Sequence, residues 1–101
     1  MDVVRPLRGI VFVWDQGKAK VNHRKHGVSL ETACEVFFDP FIRTLRSEWT
    51  GGEERELVIG LTESWKVLVV ACTFRGESIR IISARPATDQ ERLHYEDDRD
   101  P

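Results

Sequence analysis

The sequence predicts an α+β fold in which helices and strands follow the order β-α-α-β-β-β-β-α and the strands form an antiparallel sheet. Three observations support this order. An apolar, β-branched run precedes two short segments with helix caps, four strand-like runs separated by turn signals follow, and a capping box opens the last segment. With 101 residues, 41% of them hydrophobic and 32% charged, the chain has the size and composition of a single soluble domain, residues 1–101.

The N-terminal part begins with the strand "GIVFVWD", residues 9–15, which is rich in β-branched and aromatic side chains. Asp15 is a suitable N-cap for the polar helix "QGKAKVNHRKH", which we expect to end at Gly27. Ser29 would cap a second helix, and Pro40 would end it.

The remainder of the chain is rich in β-structure and closes with a helix. Four strands are predicted in "FIRTLRSEW", "EERELVIGLT", "KVLVVACTFR" and "SIRIISARP", separated by Gly51-Gly52, by residues 63–66 and by the tight "RGES" turn. The helix "TDQERLHYEDD" starts at Thr88, which forms a capping box with Glu91. We expect residues 96–101 to be a loose acidic tail.

Charge is distributed unevenly, although the net charge is only −2. Lys and Arg outnumber Asp and Glu by six to two in residues 1–30 and by five to three in residues 64–95, whereas residues 31–63 have three against eight. Local basic patches of this kind can bind phosphate even in a mildly acidic protein. Because the longest apolar run, Val67–Cys72, is too short to span a membrane and no secretion signal opens the chain, we expect a cytoplasmic protein with Cys34 and Cys72 as reduced thiols.

The first helix has a polar stripe. Lys18, Asn22, Lys25 and His26 are spaced by three and four residues and therefore share one side of the helix. The stripe is either a solvated cationic surface or a surface that contacts an anion. His26 stands at the C-terminal end of the helix, next to the turn.

Arginines recur in the last two strands. If "RGES" is a two-residue hairpin, Arg75 and Arg80 share one face of the sheet. Along the strand direction, Arg55 is expected to lie close to Arg75. The face of the sheet to which Arg55 points depends on the register between the two strands, which the sequence leaves open. Arg85 has the opposite parity to Arg80 and joins it only if the strand bulges or ends before Pro86.

Two explanations fit these arginines. Each could pair with a nearby carboxylate, for which the candidates are Glu53, Glu54, Glu56 and Glu77. Alternatively, the guanidinium groups converge without enough carboxylates, and an anionic ligand balances them. Neither a spaced Cys/His metal motif nor a glycine-rich phosphate loop is present, so no metal or other cofactor is expected.

Such a set of residues suits RNA cleavage without a metal, because the charge that develops on the phosphorane needs cationic donors. Arg75 and Arg80, with Arg55, would hold the scissile phosphate, and His26 would act as general base or acid. The alternative function is a non-catalytic interaction module whose basic face docks an acidic partner segment or nucleic acid.

The sequence resembles the BrnT toxins of bacterial type II toxin–antitoxin modules. The resemblance rests on "WDQGKAKVNHRKHGVSLETACEVFFDP", "EERELVIG" and "LVVACTFRGESIRIISARPATDQERLHY", which together cover most of residues 11–95. It implies a RelE-like fold, a ribonuclease activity that arrests translation, and neutralisation by a BrnA-type antitoxin. It further implies a complex of two toxins and two antitoxins in which the antitoxin contacts operon DNA.

The resemblance also places candidate residues. Those carried over by position are Lys25, His26, Arg55, Arg75, Arg80 and Arg85. We therefore take His26, Arg55, Arg75 and Arg80 as candidate catalytic residues, and Lys18, Lys25 and Arg85 as candidate substrate-binding residues. The aromatic side chains of Phe37, Phe38, Phe41 and Trp49 belong either to the core or to the antitoxin interface.

Overall fold

The computed structural model describes residues 1–99, and the side chains of residues 1–97. In chain order the elements are β1 (Asp2–Leu7), β2 (Ile10–Asp15), α1 (Gln16–His26), α2 (Leu30–Ala33) with a 3-10 segment (Cys34–Phe38), β3 (Arg43–Thr50), β4 (Glu53–Leu61), β5 (Val67–Arg75), β6 (Ser78–Pro86) and α3 (Asp89–Arg99). The strands form one sheet in the order β1-β2-β6-β5-β4-β3. All neighbours are antiparallel except β2 and β6, which are parallel.

The α+β fold is confirmed, with one more strand than predicted. The additional strand is β1, whose polar residues and Pro6 interrupt the alternation that marks a strand. Pro6 is tolerated because β1 lies at the edge of the sheet. A two-residue turn joins β1 to β2, and both its residues, Arg8 and Gly9, have positive φ (49° and 84°), as a hairpin turn of this length requires.

The predicted helix ends are confirmed in detail. The Asp15 side chain accepts a hydrogen bond from the Lys18 N–H at 2.9 Å, and Ser29 Oγ accepts one from the Thr32 N–H at 3.1 Å. Gly27 adopts a left-handed conformation with a φ of 70° and ends α1. The second helix is shorter than expected, since it tightens into the 3-10 segment after Ala33.

The main core lies between the sheet and the α2 segment, on what we call the α2 face. Leu68, Val70 and Cys72 point to this face from β5 and pack against residues of α2 and the 3-10 segment. Gly60 is required here, because a Cβ at this position would lie 2.9 Å from Val36 Cβ. Cys34 and Cys72 are free thiols in this core, and burial raises the pKa of each to about 12.

A smaller core lies on the opposite side of the sheet, where α3 covers one end. Tyr95 is fully buried against Ile59 and Val69, and its hydroxyl donates a hydrogen bond to the Asp39 carboxylate. The same Asp39 oxygen accepts the Leu61 N–H at 2.8 Å. The helix continues to Arg99, past residue 96 where a loose tail was expected, while residues 100 and 101 lie outside the described residues.

Candidate active site

The uncovered part of this opposite side carries the arginines, and we call it the arginine face. The β5–β6 register pairs Thr73 with Arg80 and Arg75 with Ser78, which confirms the predicted two-residue hairpin. Since alternate residues of β5 fill the core of the α2 face, Arg75 and Arg80 point to the other side and are diagonal neighbours there.

The register that the sequence left open places Arg55 on the arginine face as well. Leu57 pairs with Ala71, so Arg55, two residues earlier on β4, lies beside Thr73 and level with Arg80, which pairs with Thr73 from the other side. Its Nε is buried and has no hydrogen-bond partner among the described residues. Three guanidinium groups from three adjacent strands therefore share one patch.

Carboxylates accompany two of these arginines, and one of them, Asp2, is not among the partners that the sequence suggested. Arg80 donates two hydrogen bonds to Asp2, at 3.0 and 2.9 Å. Arg75 donates two to Glu53, at 2.7 and 3.0 Å, as the ion-pair explanation anticipated. The bond from Arg80 holds the pKa of Asp2 below its usual value, and the bond from Arg75 does the same for Glu53.

These ion pairs fix the guanidinium groups without sealing them from a competing anion. Asp2 comes from β1, which sequence reasoning missed, and its side chain is half-exposed, as is that of Arg75. Exposed pairs contribute only about 0–1 kcal/mol. A phosphate that offers more acceptor oxygens could therefore replace either carboxylate at little energetic cost.

The first helix provides a second cationic surface beside the arginine face. Lys18, Lys25 and His26 line a groove of about 610 Å³ together with Ile82 and Ser83, so the predicted shared side is confirmed. The ammonium groups of Lys18 and Lys25 pair with no carboxylate in residues 1–97. Ser83 pairs with Ala71 on the arginine face, and the groove therefore opens next to that face.

Asn22 fixes the position of this helix. β2 pairs with β6 only as far as Val13 and Arg80. Beyond that point, the side-chain amide of Asn22 forms hydrogen bonds to the main chain of β6. Its Nδ2 donates to Ala84 O and to Val28 O at 2.9 Å, and its Oδ1 accepts the Ala84 N–H at 3.0 Å. An asparagine on a polar helix gives no sequence signal for this role.

His26 lies between two cavities. It is half-buried at the end of α1 and lines both the groove and a cleft of about 400 Å³ that is shared with Arg92, Tyr95 and Lys66. The structure thus groups His26 with Lys18 and Lys25, while the three arginines form a separate patch on the sheet.

Arg85 reaches the arginine face through a β-bulge. The β5–β6 register shifts between Ala71 and Cys72, which pair with Ser83 and Ile81, so Ile82 is an extra residue in β6. The guanidinium of Arg85 donates two hydrogen bonds to the Glu91 carboxylate, at 2.7 and 2.9 Å. This pair lowers the pKa of Glu91 to about 2, and Arg85 acts here as an anchor for α3.

Residues 1–99 contain no group of three or more His, Cys, Asp or Glu side chains arranged to hold a metal ion. Within the same residues, no helix is long and apolar enough to cross a membrane.

Comparison with known proteins identifies the family of this chain. A sequence model described as "Ribonuclease toxin, BrnT, of type II toxin-antitoxin system" matches residues 14–91. The protein is therefore a toxin of the type II toxin–antitoxin class. Within that class, the chain belongs to the BrnT family of ribonuclease toxins, as the sequence resemblance implied.

The structural comparison confirms the fold. The 1.1 Å crystal structure of the Brucella abortus ribonuclease toxin BrnT superimposes with a TM-score of 0.51 and 22% sequence identity, and the match covers 75% of this chain and 94% of that one. No curated protein matches the sequence. β1, and with it Asp2, precedes the region that matches the family.

Proposed function

We propose that this toxin is an endoribonuclease that cleaves RNA without a metal ion, inhibits translation in the cytoplasm and is neutralised by a BrnA-type antitoxin. The observation that carries the proposal is the convergence of Arg55, Arg75 and Arg80 on one sheet face, beside a groove lined by lysines. Family membership supports ribonuclease activity and an antitoxin partner. We further propose that two toxins and two antitoxins assemble, with the antitoxin contacting operon DNA.

The proposed reaction is an attack by the ribose 2′-oxygen on the adjacent phosphorus. A general base takes the 2′-hydroxyl proton, the bond from phosphorus to the 5′-oxygen breaks, and a general acid protonates the leaving 5′-oxygen. The products are a 2′,3′-cyclic phosphate and a 5′-hydroxyl end. Arg75 and Arg80 would leave their carboxylates to hold the phosphate, and Arg55 would neutralise the charge that develops on it.

The remaining candidates are assigned by position. Lys18 and Lys25 would bind flanking phosphates in the groove, and His26 would serve as base or acid at its end. Arg85 would contribute positive charge only, because its guanidinium already binds Glu91.

Single substitutions test these roles on defined RNA. We expect Arg75→Ala or Arg80→Ala to slow cleavage by about 10²–10³-fold, and His26→Ala by about 10²–10⁴-fold, while EDTA leaves the rate unchanged. Arg5→Ala is the matched control, since Arg5 pairs with the core residue Phe12 and projects from the α2 face. Wild-type rates in the Arg80 and His26 variants, with the fold intact, would refute the role assignments, and loss of activity in EDTA would refute the metal-free reaction.

A second function is favoured by the ion pairs themselves. Because Asp2 and Glu53 already balance Arg80 and Arg75, the same face could dock an acidic partner without catalysis. The absence of RNA cleavage at any protein concentration, with partner binding retained, would support this interaction module. Growth arrest on induction that is relieved by the adjacent open reading frame would support the toxin.

A further inference from the structure

The α2 face is left uncovered at the end where the β3–β4 and β5–β6 hairpins turn. Two large aromatic side chains are exposed there, Trp49 to 72% and Phe74 to 53%. Phe37 and Phe38, by contrast, pack against the buried Phe12 with ring centroids 5.6 and 6.1 Å apart. Phe37 and Phe38 therefore belong to the core, whereas Trp49 and Phe74 lie on the surface.

The two exposed aromatics flank a carboxylate. Trp49 pairs with Glu54 across β3 and β4, and the β4–β5 register, continued two residues beyond Glu56 and Cys72, sets Glu54 opposite Phe74. The bidentate bond between Arg75 and Glu53 agrees with this extension.

Glu56, two residues after Glu54 on β4, provides a second carboxylate on the same face of the sheet. Glu56 lines a cleft together with Phe37, Ile42, Arg43 and Phe74. Arg43 pairs with Ile59, which belongs to the smaller core, so its side chain points to the other side of the sheet. Neither Glu54 nor Glu56 forms a salt bridge within residues 1–97. The surface is therefore apolar and negatively charged, unlike the cationic arginine face behind it.

The adjoining strand offers main-chain hydrogen bonds. Within residues 1–99, β3 pairs with β4 alone, so the other side of its eight residues is an open sheet edge. An open edge is a template for an added strand. The opposite edge, β1, is shorter and carries Pro6, which removes one donor.

We propose that the antitoxin docks here: an extended segment adds as a strand to β3, places apolar side chains on Trp49 and Phe74, and sets Lys or Arg side chains against Glu54 and Glu56. The proposal rests on the antitoxin partner named under the proposed function. A second copy of the toxin is a poorer occupant, because a symmetric contact would bring these unpaired carboxylates together.

Binding of the purified product of the adjacent open reading frame tests the surface. Trp49→Ala and Phe74→Ala should each weaken its affinity at least about tenfold, and the double variant Glu54→Lys, Glu56→Lys should weaken it and flatten its dependence on salt. The control is Trp65→Ala, since Trp65 is 79% exposed on the β4–β5 turn and should leave the affinity within about twofold. Wild-type affinity in both aromatic variants would overturn the proposal.

Hydrogen exchange tests the added strand. Antitoxin binding should protect alternate amides of β3 and leave those of β1 unchanged. Unprotected β3 amides in the complex, or a free toxin dimer that Trp49→Ala dissociates, would also overturn it.

RNA cleavage without antitoxin separates this proposal from the proposed function. Trp49→Ala should cleave at the wild-type rate, because its side chain is on the other face from Arg75 and Arg80. A wild-type protein that binds the antitoxin through this surface but cleaves no RNA would refute the ribonuclease proposal and support the docking surface. RNA cleavage by the wild-type protein, together with unchanged antitoxin affinity in every variant, would support the ribonuclease proposal and refute the docking surface.

Discussion

Replacing Glu91 with glutamine tests how α3 is held on the sheet. The Glu91 carboxylate accepts two bonds from Arg85 and one from the Thr88 N–H. Glutamine keeps the capping geometry, which accepts either residue, but it loses the charge and one of the two oxygens that accept from Arg85. Glu91→Gln therefore isolates the contribution of the ion pair.

The pKa of Glu91 sets the size of the effect. One pKa unit corresponds to about 1.4 kcal/mol, so the fall from 4.5 to about 2 gives an upper bound of about 3 kcal/mol. The side chains of Arg85 and Glu91 are 35% and 24% exposed, and screening by water reduces the expected loss to about 1–2 kcal/mol. For a domain of this size, each kcal/mol lowers Tm by about 4–8 °C.

The direction of the pKa shift determines how the stabilisation by this ion pair changes with pH. The folded pKa lies below the unfolded value, so the stabilisation is complete above about pH 4.5 and is lost as the pH falls toward about 2. At pH 3, only about two fifths of it should remain. Thermal unfolding of wild type and Glu91→Gln at pH 7 and pH 3, with hydrogen exchange of the α3 amides as a second measurement, checks both the size and the trend.

Asp89→Asn is the matched control, because Asp89 is almost fully exposed and pairs with Arg92 only along the helix surface. Its effect should be close to zero. Equal Tm and equal α3 exchange for Glu91→Gln and wild type at pH 7, or a difference that persists undiminished at pH 3, would refute the reasoning.

Three further substitutions probe the sheet and the site. Asn22→Ala leaves three buried main-chain groups without partners and should lower the free energy of unfolding by about 3 kcal/mol or more; a loss below 1 kcal/mol in denaturant titration would contradict this. Gly60→Ala forces a methyl group against Val36 and should cost about 1–3 kcal/mol, measured in the same way. Asp2→Asn removes the carboxylate that competes for Arg80 and should tighten the binding of a non-cleavable RNA a few-fold, with weaker binding as the contrary result.

Local patterns in the sequence predicted the elements well because each depends on neighbouring residues. The cap at Asp15, the turn at Gly27 and the capping box at Thr88 all form as predicted. The Arg75–Arg80 arrangement could also be predicted, since a two-residue hairpin fixes the register on both sides.

Contacts between distant parts of the chain could not be predicted in this way. The face of Arg55 depends on the β4–β5 register, which a four-residue turn does not determine. The partner of Arg80 comes from β1, 78 residues away, and β1 itself has too weak a strand pattern to be recognised. The sequence thus placed Arg75 and Arg80 on one face and included Glu53 among the possible partners, but it did not identify Asp2 as the partner of Arg80.

The bulge at Ile82 makes the length of β6 as important as its composition. If the same residues paired with β5 without the bulge, Ile82 would lie opposite Ala71, and the side chains that follow would turn to the opposite side of the sheet. Arg85 would face the hydrophobic core, and Ala84 would leave it. A related chain with a one-residue gap at Ile82 would therefore keep Arg85 on its present face in a regular strand, whereas a chain of full length needs the bulge to hold α3 through Arg85.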